Sequence, residues 1–371
     1  MKVLKNCTLV LPESLEKGYV VIKDGVIEEV GLGECSLEGE DFSGAYLVPG
    51  YIDVHVHGGG GAGFDLSDPD ACHRAAEFHL NHGTTSMLMG LEGGLEEIGK
   101  HLPLKKLPSN VAGIFLEGPF ISPKRPGAID PAFIREPNKE LLTTFLEKFS
   151  SQITYMAIAP ELKDAKDLIN IADDYGVVVS AGHTTASIET LYEAILWGTK
   201  CVCHTFNGMP PMHHREPGVV GGALLYDDLY TEIICDGIHI HPDIVKLLFK
   251  IKPHDKVLAI TDSVSLNGMP DGKYGRRMVK GRKITLTNGT TIAGSSLTMD
   301  EAVKNMVSWG LDLVTVVRSA TINPAKAMGF NDRGRIAKGM RADLLKLNSS
   351  LDVEEIYLEG NKLACFWHNR I

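Results

Sequence analysis

Six side chains that could bind a metal or transfer a proton stand at the ends of short apolar runs in this sequence. They are His55, His57, Glu117, His183, His204 and Asp262. Glutamate and histidine ligands that leave one position open for water are typical of a catalytic divalent metal. A neighbouring aspartate can accept and return a proton. These residue types therefore predict a metal-dependent hydrolytic site.

His55 and His57 are separated by a single residue. Side chains along a strand repeat every two residues, so both rings are expected to point the same way. Two metal ligands explain the pair, and a satisfied pair of core histidines is the alternative. The glycines at 58–61 either let the backbone approach a substrate closely or form a mobile loop.

Glu117 is predicted at the buried end of a strand, where a charge is costly unless it is paired or bound to a metal. An ion pair with a lysine or arginine is the alternative. His183 and His204 lie 21 residues apart, about one strand–helix unit. They are therefore expected on adjacent strands, from which they can converge with Glu117 on one ion.

Asp262 follows the apolar run 257–260 and is expected to face the same interior. There its carboxylate can take a proton from the attacking water and return it to a leaving amine. The alternative is a cap on the following segment, because Asp-Ser commonly begins turns or helices. We favour the acid/base role.

Several further residues could be mistaken for ligands or carry a separate function. If His204 points inward, alternation directs Cys201 and Cys203 outward toward the helices, as small buried hydrophobes. Arg215 could bind an anionic group with its planar fork or could simply be solvated. His213 and His214 stay ambiguous, and the remaining histidines are expected at the surface or at helix ends; they are His73, His79, His82, His101, His241 and His254.

Eight short apolar runs, separated by stretches long enough for a helix, position these residues. The runs cover 50–57, 84–90, 111–118, 153–160, 177–182, 200–206, 231–236 and 257–261. Because they lack polar alternation, they indicate buried parallel strands. Eight strand–helix units predict a (β/α)8 TIM-type barrel, whose active site lies at the carboxyl ends of the strands.

Both chain ends are rich in β-strand patterns, and Asp24-Gly25 predicts a two-residue hairpin turn. Neither end has enough strands to close a core alone, so we expect the two ends to pair into one small β-sandwich. The predicted division is 1–48 and 333–371 for the β-sandwich and 49–332 for the catalytic barrel.

The composition is that of an ordinary globular protein. The 371 residues include 37 Lys+Arg and 47 Asp+Glu, a net charge of −10, which argues against a nucleic-acid partner. The seven cysteines are odd in number and scattered, as expected in a reducing compartment. We find neither a signal peptide nor an apolar run long enough to span a membrane. The sequence predicts a cytoplasmic protein with no membrane partner.

The motifs together resemble the amidohydrolase superfamily, and within it the enzymes that deacetylate phosphorylated amino sugars. The resemblance rests on PGYIDVHVHG at 49–58, LEGPF at 116–120, AGHT at 181–184, HTFNGM at 204–209, REPG at 215–218, DGIH at 236–239, TDS at 261–263, AGSSLTM at 293–299 and ATINPA at 320–325. It implies hydrolysis of the acetamide of N-acetylglucosamine 6-phosphate to glucosamine 6-phosphate and acetate, in amino-sugar catabolism or cell-wall recycling.

The resemblance also implies roles for individual residues. Glu117, His183 and His204 would hold the principal metal, His55 and His57 a second one, and Asp262 would be the catalytic acid/base. One or two divalent ions per subunit are implied, of zinc, iron(II), manganese or cobalt, and a homodimer. The substrate contacts would be Ala128, Asn207, Gly208, Arg215, His239, Ile292, Ala293 and Gly294, with Arg215 on the phosphate.

One position departs from the pattern, because many relatives carry a histidine where this chain has Ile129. An isoleucine donates no hydrogen bond, which leaves carbonyl polarisation to the metal, with help from His239 or from the second metal position. Three alternatives to the implied reaction stay open: the galacto epimer as substrate, a cyclic amide, and a non-catalytic scaffold of the same fold.

Overall fold

The computed structural model describes residues 1–363, and its centre is a barrel of eight parallel strands. The barrel strands are β6 (Tyr51–Val56), β9 (Thr84–Leu91), β10 (Val111–Glu117), β11 (Ile153–Ile158), β12 (Val178–Ala181), β13 (Thr199–Val202), β14 (Tyr230–Ile234) and β15 (Val257–Ile260). They pair in this order around the barrel. The predicted TIM-type fold is confirmed, with a strand at each of the eight apolar runs, although β13 ends at Val202 and the predicted run continued to residue 206.

The barrel closes just beyond the last strand. The Asp262 amide donates to the His55 carbonyl at 2.9 Å, and the His57 amide donates to the Ser263 carbonyl at 2.7 Å. The first and last strands are thereby joined at the end where the predicted site residues lie.

A helix follows each barrel strand and covers the outside. The helices are α1 (Pro69–Asn81), α2 (Leu95–Gly99), α3 (Lys139–Phe149), α4 (Ala165–Asp174), α5 (Ile188–Trp197), α6 (Gly218–Leu225), α7 (Pro242–Ile251) and α8 (Met299–Ser308), then α9 (Leu313–Ser319) and α10 (Ile322–Ala327). In α7, Val245, Leu248 and Phe249 are buried at helical spacing, which fixes the face that packs on the strands. None of the helices in residues 1–363 is long and apolar enough to cross a membrane.

The two chain ends meet in one eight-stranded sheet beside the barrel. Its strands are β1 (Lys2–Val10), β2 (Leu15–Lys23), β3 (Val26–Leu32), β4 (Glu40–Asp41), β5 (Tyr46–Pro49), β19 (Leu344–Leu347), β20 (Val353–Leu358) and β21 (Asn361–Lys362). The antiparallel pairing of β5 with β19 joins the ends, as expected. Asp24 and Gly25, both at positive φ, form the predicted turn between β2 and β3. Residues 364–371, with Cys365, lie outside the described part.

Two smaller pairings stand at the mouth of the barrel. Strands β7 (Gly58–Gly59) and β8 (Ala62–Gly63) pair with each other, so the glycine run is a short hairpin. Strands β16 (Gly272–Tyr274), β17 (Arg277–Lys280) and β18 (Lys283–Leu286) form a three-stranded antiparallel sheet between β15 and α8. The sequence patterns had not indicated this three-stranded sheet.

Candidate metal centre and active site

The strand ends deliver the predicted site residues to one place. Glu117 is the last residue of β10, and His55 lies in β6, with His57 directly after that strand. His183, His204 and Asp262 each lie two residues past a barrel strand. The backbone at these three residues has positive φ, at 45°, 25° and 50°. Non-glycine residues in this region are strained, and such strain clusters at functional sites.

Glu117, His183 and His204 meet in a compact triangle of ligand atoms. The Oε1 atom of Glu117 lies 3.0 Å from Nε2 of His183 and 3.1 Å from Nε2 of His204, and the two nitrogens lie 3.0 Å apart. Ligands bound to one tetrahedral ion at about 2.0–2.1 Å lie roughly 3.0–3.4 Å from each other. The triangle fits a single divalent ion with room for a further ligand, although its role in metal binding stays a prediction.

His55 and His57 bring their Nε2 atoms to the other side of the same carboxylate. Nε2 of His57 lies 3.0 Å from Glu117 Oε2, and Nε2 of His55 lies 3.4 Å from Glu117 Oε1. Oδ1 of Asp262 lies 3.6 Å from Nε2 of His55 and 3.7 Å from Nε2 of His57. These four side chains therefore outline a second position that shares Glu117 with the first.

Hydrogen bonds on the far side of the rings fix which nitrogen faces the centre. The Nδ1 atoms of His57 and His183 face the carbonyls of Gly90 at 3.2 Å and Arg125 at 2.9 Å. A carbonyl only accepts, so each Nδ1 carries the proton and each Nε2 presents its lone pair inward. Nε2 of His55 and of His57 are buried without a hydrogen-bond partner among the described residues. A cation is the partner that suits such inward lone pairs.

The electrostatics favour a positive charge at the same point. Burial alone would raise the pKa of Glu117, but the imidazoles of His57 and His55 hold it well below the usual range. Burial would lower the pKa of His183 and His57, yet Glu117 raises both. An ionised carboxylate ringed by imidazoles is the donor set of a borderline divalent metal such as zinc, iron(II), manganese or cobalt.

A cavity of about 310 Å³ opens above these atoms. Six of the eight predicted substrate contacts line it: Ala128, Asn207, Gly208, His239, Ile292 and Gly294. Ala293 is fully buried and is not part of the lining. Ile129 lines the cavity as well, so the departure from the family pattern lies at the site itself.

Arg215 does not reach the cavity of its own chain. It lies in an exposed stretch, 211–216, and its Nη1 lies 2.7 Å from Nε2 of His214. Its predicted phosphate contact cannot be made within one subunit in this conformation.

The predicted orientation of the cysteines is wrong. Cys203 lies inside the barrel with its Sγ 3.6 Å from Nδ1 of His55. Strand β13 ends at Val202, so the alternation that was extended to His204 stops before it. His79 lies in the last turn of α1, one of the two places expected for it, but it is not at the surface: it is fully buried, and its Nε2 donates to the Gly58 carbonyl at 2.9 Å.

Comparison with known proteins agrees with this geometry. The family model of the amidohydrolases matches residues 46–363. The chain belongs to the amidohydrolase family. It is 35% identical to the N-acetylglucosamine-6-phosphate deacetylase of Bacillus subtilis (strain 168) over 94% of this chain and 93% of that protein. It is 32% identical to the N-acetylgalactosamine-6-phosphate deacetylase of Escherichia coli O157:H7, over 95% of this chain and 96% of the other.

A solved amidohydrolase structure extends the comparison to a bound ligand. It is a mutant N-acetyl-D-glucosamine-6-phosphate deacetylase from Mycobacterium smegmatis in complex with N-acetyl-D-glucosamine-6-phosphate. The two chains are 29% identical with a TM-score of 0.91, over 97% of this chain and 98% of that one. The resemblance inferred from the motifs is thereby confirmed at the level of the family.

Three residues of this amidohydrolase site escaped the sequence reasoning. Glu92 directly follows β9 and lines the cavity, but the predicted run stopped at Gly90. Arg277 lines the cavity from β17, in the sheet that was not predicted. Glu232 lies fully buried inside β14, where a charged residue amid an apolar run was the available signal.

Proposed function

We propose that the protein hydrolyses the acetamide of N-acetylglucosamine 6-phosphate to glucosamine 6-phosphate and acetate. The observation that carries the proposal is the triangle of Glu117, His183 and His204, with Asp262 beside it in one cavity. Family membership and the named activities of the near-full-length relatives supply the reaction class. Amino-sugar catabolism or cell-wall recycling in the cytoplasm is the setting this activity suits.

We assign the principal metal to Glu117, His183 and His204, and a second position to His55, His57 and Asp262, which form a possible ligand group. Zinc, iron(II), manganese and cobalt all suit such nitrogen and oxygen donors. A divalent ion bound here supplies Lewis-acid chemistry for an amide carbonyl and for water.

Asp262 moves the proton in the proposed reaction. Its backbone amide is held by the His55 carbonyl at 2.9 Å, and its carboxylate faces the cavity with 15% of the side chain exposed. The carboxylate takes a proton as water adds to the amide carbon, and it returns that proton to nitrogen as the C–N bond breaks. The products are the free amine and acetic acid, and the acid's proton then passes to the amine or to solvent to leave acetate, which accounts for every atom.

His239 is held ready to contact the substrate. Its Nδ1 lies 2.7 Å from Oδ2 of Asp236, and both side chains are nearly buried. The carboxylate orients the ring and leaves Nε2 for the cavity that His239 lines. Burial would lower the pKa of His239, yet the Asp236 carboxylate raises it. We propose that the protonated ring donates from Nε2 the hydrogen bond that Ile129 cannot.

Two arginines are candidates for the substrate phosphate. Arg277 lines the cavity, and no ion pair of its side chain is found among residues 1–363. Arg215 lies on the exposed stretch 211–216, from which it could enter the cavity of a second copy. We propose a homodimer in which Arg215 serves the partner subunit and Arg277 serves its own.

A deacetylation assay tests the activity. N-acetylglucosamine 6-phosphate, its galacto epimer and unphosphorylated N-acetylglucosamine are each supplied with and without added metal. Metal-dependent release of acetate from the first compound is expected, and no release from any of the three would refute the proposal. The galacto epimer is the second candidate substrate because of the 32% identical Escherichia coli relative.

Three variants test the phosphate contacts. We expect Arg277→Ala and Arg215→Ala each to raise KM for the phosphorylated sugar about 10- to 100-fold, since a charge-assisted contact contributes about 1.5–3 kcal/mol. Lys273→Ala removes an exposed cation of the same small sheet and serves as the control. A KM for either arginine variant equal to that of the control would exclude that arginine.

A further inference from the structure

Glu232 is a charged side chain at the centre of the barrel, directly beneath the metal positions. It lies within β14 and is fully buried. Its Oε2 atom lies 2.9 Å from Nδ1 of His55 and accepts from the backbone amide of His204 at 2.8 Å. Its Oε1 atom accepts from the Tyr155 hydroxyl at 2.7 Å. One carboxylate thus contacts a residue of each metal position.

A fully buried carboxylate is unfavourable unless hydrogen bonds and an opposite charge compensate it. Glu232 forms no ion pair with a lysine or arginine in the described part of the chain; its one ion-pair partner there is His55. Both oxygens of Glu232 accept from donors, Oε2 from the His204 amide and Oε1 from the Tyr155 hydroxyl, as suits an acceptor-only carboxylate. Oε2 also lies against Nδ1 of His55, so the charge of the carboxylate acts on that ring.

Two other imidazoles of the metal positions, those of His57 and His183, are held differently. Carbonyl oxygens hold Nδ1 of His57 and of His183. His55 alone among these three has an anion behind its ring. A carboxylate that accepts from Nδ1–H keeps the proton there, aims the ring and makes Nε2 a stronger donor to a metal.

We propose that Glu232 is a positioning residue that makes His55 a metal ligand and so allows the chain to hold a second ion beside the first. Its bond to the His204 amide also supports a backbone with φ of 25°, but this bond needs only an acceptor. The negative charge of Glu232 therefore affects the second metal position, through His55. Its Oε2 atom contacts a residue of each position, His55 and His204. The inference rests on the metal centre of the proposed function and not on the identity of the substrate.

Glu232→Gln separates these two contributions. With the amide oxygen in the place of Oε2, the bonds to His55 and His204 stay, and the amide nitrogen can donate to the Tyr155 oxygen. The substitution removes the charge and keeps the shape. Asp53→Asn is the matched control, because Asp53 is also fully buried in the barrel and bonds Thr261 Oγ1 at 2.6 Å. It accepts from the backbone amide of His55 at 3.2 Å but forms no hydrogen bond with an imidazole ring.

The experiment titrates metal-free protein with Zn²⁺ and follows bound zinc by calorimetry and elemental analysis. We expect two ions per chain for the wild type and for Asp53→Asn. For Glu232→Gln we expect an unchanged first ion and a second ion bound about 10- to 100-fold more weakly, the usual effect of removing such a partner. In Glu232→Gln the second ion should bind again when free zinc is raised about 10- to 100-fold, whereas a collapsed site would stay empty.

A wild type that binds a single ion would overturn the inference, and so would a Glu232→Gln variant that binds both ions with wild-type affinity. A wild type that binds no zinc but hydrolyses the phosphorylated sugar would overturn it too, while leaving the activity in place. Zinc binding as expected without any hydrolysis would refute the proposed function and support the role of Glu232.

Discussion

Adding one methyl group at Gly208 should disturb the metal centre more than the fold. Gly208 has φ of +63°, and a Cβ atom there would lie 3.1 Å from Nδ1 of His183 and 3.2 Å from Cε1 of His204. Both contacts are tighter than ordinary van der Waals distances, so the two rings must move by a few tenths of an ångström. Both rings belong to the proposed principal metal position.

The magnitude of the Gly208→Ala effect has two parts. The left-handed backbone costs an L-residue about 1–2 kcal/mol of folding free energy. Because displacements of about 1 Å cost about 10²-fold in rate, we expect turnover to fall about 10- to 100-fold. Zinc affinity should fall together with turnover, since the Nε2 atoms of His183 and His204 move with their rings.

Gly176→Ala is the matched control for Gly208→Ala. Gly176 has φ of +74°, and a Cβ atom there meets nothing within 4 Å. It carries the same backbone cost without the clash. Denaturant unfolding should therefore give similar losses for both variants, while deacetylation and zinc titration should separate them. Equal turnover and equal zinc affinity in the two variants would refute the steric reasoning.

Three further outcomes are expected. Asp262→Asn should keep the zinc ion assigned to Glu117, His183 and His204 while turnover falls at least about 10²-fold, and near-normal turnover would exclude the acid/base role. Burial lowers the pKa of His79 to about 4, so the unfolded chain takes up the proton first as pH falls below about 6.5. Between pH 7 and pH 5 the unfolding free energy should therefore drop by about 2 kcal/mol more in the wild type than in His79→Gln, and parallel pH curves for the two proteins would contradict this. Removing the metal with a chelator should lower Tm, because a metal ion whose free concentration is 1,000 times its Kd stabilises the folded chain by about 4 kcal/mol. An unchanged Tm would argue against a resident metal.

The sequence was sufficient to predict the barrel, because parallel strands buried on both faces leave an unmistakable pattern. Runs such as 153–160 and 257–261 contain β-branched and apolar residues without alternation, and the strands lie within them. Placing the site followed from the same pattern. Once the strands are parallel, their carboxyl ends share one rim, so Glu117 and His204 had to approach each other wherever they stood in the chain.

The sequence was not sufficient for residues whose position depends on tertiary contacts. Arg277 reaches the cavity from a three-stranded sheet with short strands, and nothing in its local pattern ties that sheet to the barrel mouth. Arg215 carries a motif of the family but lies outside its own cavity. His79 sits in an amphipathic helix, where only the fold reveals the Gly58 carbonyl that satisfies it.

The error over Cys203 has a physical cause that also explains how the site is built. Alternation holds only while the backbone is extended, and β13 ends at Val202. Two residues later His204 adopts φ of 25°, and His183 and Asp262 make the same left-handed turn after their own strands. The turn lets the chain aim a ring or carboxylate at the barrel axis regardless of the face that alternation assigns. Hence Cys203 and His204, although adjacent in sequence, both contribute to the interior, where the thiol lies beside His55 and the imidazole faces Glu117.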